Sequence, residues 1–180
     1  MKLTYLGTAA AEGFPALFCN CEYCNEAKRL GGKNIRTRSQ ALINQDLLID
    51  FPADTYAHFL NNGIKGDMIE HLIVTHAHSD HFYLDDLFMR SGAFAHNMSA
   101  PTLNIFCPKT VFEQFTNIPQ GTAVTVLEPY RTYEIGAYHV PPCLHGICLD
   151  PRRLSISFKG IKRCSTPTTR DISTRRSSTT

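Results

Sequence analysis

Four side chains of the kinds that bind divalent metal ions occur within six residues, in the string H-x-H-x-D-H: they are His76, His78, Asp80 and His81. The string directly follows the apolar run at 71–75, which predicts a buried strand. Histidine and carboxylate suit zinc, manganese or iron in hydrolytic sites. We therefore expect a fold in which a strand ends at a loop that directs several ligands toward one point.

The two-residue spacing of His76 and His78 places both imidazoles on one side of an extended chain, where they can reach one ion. Asp80 and His81 follow where the chain turns, so they can hold a second ion. Two ions about 3.5–4 Å apart can share a water and lower its pKa, which gives hydroxide near neutral pH. The alternative interpretation is a histidine-rich surface loop.

A second candidate site is the string C-x-C-x-x-C, formed by Cys19, Cys21 and Cys24. Three thiols at this spacing are typical of a metal site, and these soft ligands favour zinc. A tetrahedral structural site would need one further ligand. The alternatives are unliganded thiols or a redox pair.

Three histidines stand alone in the sequence, and we expect them to be solvated or satisfied within the core: they are His58, His71 and His96.

Composition limits the class of protein. The 180 residues suit one domain, and 43% hydrophobic with 19% charged residues is typical of a globular chain. A net charge of +2 does not by itself indicate a nucleic-acid binder. We see no apolar segment of membrane-spanning length and no signal peptide, so we expect no membrane partner and a cytoplasmic location. Seven cysteines in that compartment predict reduced thiols or metal ligands, not disulfides.

The alternation of apolar patterns predicts an α/β fold with helices covering sheets. Strands are predicted at 2–6, 41–43, 47–49, 71–75, 103–106, 124–127 and 132–140, the last with Gly136 as a bulge. Helices are predicted at 25–30 (ending at Gly31), from Pro52 to Gly63 with Tyr56, Phe59 and Leu60 on one face, at 84–88 and at 111–115.

The H-x-H-x-D-H string after a strand resembles the signature of the metallo-β-lactamase superfamily. A further stretch resembles the branch of the phosphoribosyl cyclic-phosphate phosphodiesterase and ribonuclease Z, and its residues are Gly7, Thr8, Gly13, Pro15, Cys19, Cys21, Cys24, Ala27 and Arg29. The resemblance covers residues 1–140. It implies an αββα sandwich, of which this chain would contain the first lobe and the start of the second, with the C-terminal lobe largely missing.

The resemblance also implies roles for individual residues. His76 and His78 would bind the first metal ion, and Asp80 and His81 the second. Asp50, at the end of a predicted strand, would support the metal loop, although it could equally be the N-cap of the helix that Pro52 opens. The three cysteines, with a histidine from near the C-terminus, would form a structural zinc site.

The function that the resemblance implies is hydrolysis of a small phosphodiester by a metal-bound hydroxide, with Asp80 and His81 as catalytic residues. Nucleic acid stays open as a substrate without being indicated, and no oligomeric state is predicted. Two alternatives are hydrolysis of another ester or thioester on the same fold, and a zinc-binding remnant without turnover.

The composition changes abruptly near Val140. Residues 141–180 hold eight Lys/Arg, two acidic residues and twelve Ser/Thr, so they carry +6 and leave −4 for residues 1–140. We expect an incomplete metallo-β-lactamase-like domain at 1–140 and a largely disordered tail at 141–180. The family's second half should also supply two further histidines and a bridging aspartate in a D-T-G context, which this tail lacks. We therefore expect the chain as written to be impaired.

A frameshift near 140–142 would explain this change, and the alternative is a genuine divergent tail. When the third base of each codon is read with the first two of the next, the genetic code permits a histidine after residue 145 and the string H-D-T-G within 164–173. We expect resequencing of the gene through codons 138–150 to reveal a gained or lost base. An intact frame ending at Thr180, confirmed on both strands, would contradict the prediction.

Overall fold

A computed structural model describes residues 1–141 and the two strand residues 157–158 of the chain. The described part has two sheets and three α-helices. The strands are β1 (Leu3–Gly7), β2 (Gln40–Ile43), β3 (Leu47–Ile49), β4 (His71–Ile73), β5 (Leu103–Cys107), β6 (Thr122–Val126), β7 (Tyr133–Ile135), β8 (Tyr138–Val140) and β9 (Ser157–Phe158). The helices are α1 (Glu22–Leu30), α2 (Thr55–Asn62) and α3 (Lys109–Phe112), with 3₁₀ helices at Gly32–Asn34, Gly66–Met68 and Leu84–Arg90.

The larger sheet has the order β1-β2-β3-β4-β5-β6. The pairs β1–β2 and β2–β3 are antiparallel, and the other three pairs are parallel. Because β3 and β4 run in the same direction with Ile49 opposite Ile73, the segments that follow them leave the same edge of the sheet. That edge receives Asp50 from β3 and the H-x-H-x-D-H loop from β4.

Apolar side chains cover both faces of this sheet, as expected where parallel strands are buried. On one face, residues such as Ile43 and Leu47 pack against the second sheet, whose strands lie in the order β7-β8-β9 and contribute Ile135 and Tyr138. On the other face, residues such as Leu72 pack against helical segments. The described residues therefore form a helical layer, a six-stranded sheet and part of a second sheet, which matches the predicted first lobe and the start of the second.

Three local predictions were wrong. The segment 132–140 is a hairpin of β7 and β8 and not one strand, since Gly136 has a φ of +55° and turns the chain. The segment 84–88 is part of a 3₁₀ helix. Of the predicted apolar face of α2, Phe59 packs against the core as expected, but Tyr56 and Leu60 are exposed, and the buried residues of the helix are Thr55 and His58.

The imidazole of His58 can be buried on α2 because both of its ring nitrogens have hydrogen-bond partners. Nδ1 lies 2.6 Å from Gln40 Oε1, and Nε2 lies 2.6 Å from Thr37 Oγ1. Burial lowers the pKa of this imidazole. The expectation that His58 is satisfied within the core is confirmed.

The predicted tail falls on residues 142–156 and 159–180, which lie outside the described residues, so its disorder stays a prediction. Only the backbone of β9 is described, and it pairs with β8.

Of the helices in the described part of the chain, none has the length and apolar character needed to cross a membrane.

The β7–β8 turn also explains how His71 is accommodated. A Cβ atom added to Gly136 would lie 2.5 Å from His71 Nε2. The His71 ring is buried in β4, and its centroid lies 6.2 Å from that of Phe106. Its Nδ1 has no hydrogen-bond partner among the described residues, so the expectation that His71 is solvated or satisfied within the core was wrong. Two features therefore require glycine at position 136: the positive φ of the backbone and the close approach of the His71 imidazole.

We predict that Gly136→Ala destabilises the protein by about 1–3 kcal/mol more than Gly32→Ala, measured as free energy of unfolding in urea. Gly32 is the matched control, because it has the same φ of +55° but no atom within 4 Å of an added Cβ. Both variants strain the backbone by about 1–2 kcal/mol. Only Gly136→Ala also clashes with His71, so equal losses would contradict the prediction.

Candidate metal centre

The H-x-H-x-D-H loop is held at both ends by the backbone. At its start, the Val74 N–H donates to Phe106 O at 2.9 Å. At its end, the Phe51 N–H donates to His81 O and the Tyr83 N–H donates to Phe51 O, each at 2.7 Å. The first bond continues the parallel pairing of β4 with β5, and the other two pair the segment after β3 with the segment that follows the loop. The loop is therefore anchored at both of its ends.

The structure brings the predicted imidazoles together. The ring centroids of His76 and His78 are 4.8 Å apart, and those of His76 and His81 are 4.0 Å apart. Asp80 is buried, with Oδ2 3.4 Å from His81 Nε2. The three rings and the Asp80 carboxylate thus lie near one another at one end of β4, and their role as metal ligands stays a prediction. Among the described residues, only the cysteine string brings three donor atoms as close together as a metal site requires.

Asp50 lies beneath this loop with 4% of its surface exposed. Its Oδ1 accepts a hydrogen bond from the Thr75 N–H at 2.8 Å, and its Oδ2 accepts one from His81 Nδ1 at 2.7 Å. The N-cap of α2 is Asp54, so the N-cap interpretation of Asp50 was wrong. Asp50 also has a φ of +62°, a strained value for a residue with a side chain, and its two hydrogen bonds hold it there.

Burial and nearby charges affect the two closest imidazoles in opposite ways. Burial lowers the pKa of His76, and the charge of His81 adds to this effect against the opposing charge of Asp50. Burial also acts to lower the pKa of His81, but the hydrogen bond and negative charge of Asp50 outweigh it and raise this pKa. The environment therefore favours the neutral imidazole at His76 and the protonated imidazole at His81.

Two side chains that the sequence analysis missed also contact the loop. The Thr75 hydroxyl oxygen lies 2.9 Å from His76 Nδ1, and Gln114 Nε2 donates to Ala77 O at 2.7 Å. Thr75 directly precedes the string, so a polar residue closing an apolar strand was an available signal. Gln114 is 37 residues away from Ala77, and no local spacing points to it.

Of the remaining histidines, His139 is partly exposed in β8 and its Nδ1 lies 2.6 Å from Glu134 Oε1. This contact places His139 in a surface pair with Glu134. The family's further ligands, which the resemblance expects after residue 141, fall on residues outside the described part.

The cysteine string forms a compact cluster at the start of α1. The Sγ atoms of Cys19, Cys21 and Cys24 all lie within 4.8 Å of one another. Cys24 is buried, whereas Cys21 is exposed at the N-cap of α1. Hydrogen bonds from the Cys24 backbone, and then from the Cys19 and Cys24 side chains, lower the pKa of Cys21. The geometry fits three ligands of a soft metal ion.

No family model matches this chain, and neither does any curated protein sequence. Solved structures do. A diphosphatase of the PhnP family aligns with a TM-score of 0.59 and 22% identity over 78% of this chain and 55% of its own. Zn²⁺-bound PqqB from Methylobacterium extorquens aligns with a TM-score of 0.66 and 18% identity over 89% of this chain and 60% of its own.

YhfI from Bacillus subtilis, described as a metallo-β-lactamase fold protein, aligns with a TM-score of 0.51 and 18% identity over 77% of this chain and 50% of its own. The chain has the metallo-β-lactamase fold. The fold prediction is therefore confirmed. The chain spans half to three fifths of the length of these metallo-β-lactamase fold structures.

Proposed function

We propose that this chain is a metal-dependent hydrolase of the metallo-β-lactamase superfamily that acts on a small phosphodiester. The observation that carries the proposal is the convergence of three imidazoles and one carboxylate on one loop at the edge of a parallel sheet. Ligands and catalytic groups of α/β proteins commonly lie at the carboxyl ends of parallel strands.

The donor set fits divalent cations such as zinc, manganese or iron, because it is made of imidazoles and a carboxylate. His76 and His78 would hold one cation, and Asp80 and His81 a second. Bound there, two cations supply an acidified water and neutralise charge on the phosphoryl oxygens. Asp50 orients His81 from below and keeps its Nε2 directed toward Asp80.

Phosphorus is the reacting centre that the comparisons favour, since one of the structural neighbours is a diphosphatase. Another ester or thioester is the alternative substrate class. We expect slow turnover, because a bridging carboxylate fixes the separation and charge of a metal pair, and residues 82–180 contain no D-T-G string of the kind that the resemblance implies.

We predict slow, metal-dependent hydrolysis of bis-p-nitrophenyl phosphate by the full chain, with about two catalytic metal ions bound. His78→Ala should lower the rate about 100-fold or more, because it removes a ligand directly. The matched control is His96→Ala, which removes an exposed imidazole outside the loop. Metal content by mass spectrometry and product absorbance measure both effects.

Two results would contradict this proposal. If hydrolysis persists both after chelation and in His78→Ala, the reaction does not depend on a metal ion at the H-x-H-x-D-H loop. No turnover with at most one zinc per chain would favour the zinc-binding remnant.

We further propose that Cys19, Cys21 and Cys24 hold one structural zinc ion, separate from the catalytic pair. The proposal is supported by the mutual distances of the three sulfur atoms, which all lie within 4.8 Å of one another.

We predict that Cys24→Ser removes one equivalent of zinc, whereas Cys107→Ala leaves the zinc content unchanged. Cys107 is the control because it is a buried thiol outside the cluster, and burial raises its pKa to about 12. In cobalt-substituted protein, the thiolate charge-transfer band should be lost only in Cys24→Ser. If zinc content is the same in both variants and intact protein forms a disulfide in air, the cluster is a redox pair.

A further inference from the structure

Thr75, which directly precedes the H-x-H-x-D-H string, contacts several groups of the candidate metal centre. Its hydroxyl oxygen lies 2.9 Å from His76 Nδ1 and 3.4 Å from His81 Nδ1. Its N–H donates to Asp50 Oδ1 at 2.8 Å. One residue therefore contacts two imidazoles that are assigned to different cations, as well as the carboxylate beneath them.

The hydrogen-bond roles around His81 are determined by chemistry. An ionised carboxylate only accepts, so His81 Nδ1 carries the hydrogen that Asp50 Oδ2 accepts. A neutral imidazole has one N–H, which leaves His81 Nε2 with a free lone pair on the side of Asp80. Asp50 thus selects the tautomer in which Nε2 of His81 can bind a cation.

His76 has no carboxylate partner at Nδ1, and the Thr75 hydroxyl occupies that place. A hydroxyl can either donate or accept. The Thr75 oxygen faces two ring nitrogens, and one of them, His81 Nδ1, already carries a hydrogen. The hydrogen on His81 Nδ1 is donated to Asp50 Oδ2 at 2.7 Å, so the longer contact with Thr75 does not determine the role of the hydroxyl. The role is determined at the 2.9 Å contact with His76 Nδ1, where the hydroxyl either accepts or donates.

We propose that Thr75 is a positioning residue that accepts a hydrogen bond from His76 Nδ1 and so leaves Nε2 of His76 free to bind a cation. This inference rests on the proposed metal site. The opposite role, in which the hydroxyl donates, would put the imidazole hydrogen on Nε2 and block that atom. The two roles are therefore distinguishable in metal-free protein.

The test compares the wild type with Thr75→Val, which keeps the shape but removes the hydroxyl, and with Thr75→Ser, which keeps it. The full chains are labelled with ¹⁵N-histidine and freed of metal by a chelator, at a mildly alkaline pH where His76 is neutral. Ring ¹H–¹⁵N correlations then report which nitrogen of His76 carries hydrogen, with His76→Gln assigning the signals.

We expect the Nδ1–H tautomer in the wild type and in Thr75→Ser, and a shift toward the Nε2–H tautomer in Thr75→Val. In zinc titrations, Thr75→Val should bind about 10- to 100-fold more weakly, and Thr75→Ser should bind like the wild type. A wild-type Nε2–H tautomer, or a Thr75→Val spectrum and affinity identical to the wild type, would overturn the proposal.

The same experiment separates this inference from the proposed function. If the wild type binds no zinc at the loop but the tautomers of His76 differ between Thr75→Val and Thr75→Ser as expected, the role of Thr75 is supported and the metal-dependent function is contradicted.

Discussion

The candidate site depends on one buried carboxylate. Asp50 connects the end of β3 to the segment after β4, because its two oxygens accept hydrogen bonds from the Thr75 backbone and the His81 ring. A buried carboxylate without such partners would be strongly unfavourable. The same two bonds that satisfy Asp50 therefore also determine where the loop starts and how one of its imidazoles is oriented.

The six-stranded sheet makes this arrangement achievable. Parallel pairing of β3 and β4 brings chain segments about 25 residues apart to one edge, as the Thr75–Asp50 bond shows. Apolar layers on both faces exclude water from beneath the edge, which strengthens hydrogen bonds between polar groups there. The differing pKa directions of His76 and His81 follow from this environment, since only His81 contacts the carboxylate directly.

Local patterns in the sequence predicted much of this structure. The string from His76 to His81, the strands β2 and β3 and the clustering of the cysteines are all determined by residues close together in the chain. The turn at Gly136 was missed because the reason for that glycine is the ring of His71, on another sheet. The buried face of α2 was missed because His58 finds its partners on residues 37 and 40, beyond the helix. Contacts between distant segments, such as Gln114 with Ala77, have no periodic signature.

The attachment of the loop at both ends has a consequence for sequence divergence. At the start of the loop, Val74 is hydrogen-bonded to Phe106. At its end, His81 and Tyr83 are hydrogen-bonded to Phe51. The number of residues between these two anchors is therefore constrained more tightly than the identity of those residues. Ser79 is exposed and can vary in side chain without moving the anchors, whereas Ala77 packs against the core. A single inserted or deleted residue would rotate every later donor away from its neighbours. Among relatives of this fold we therefore expect the length of this segment to vary less than its composition.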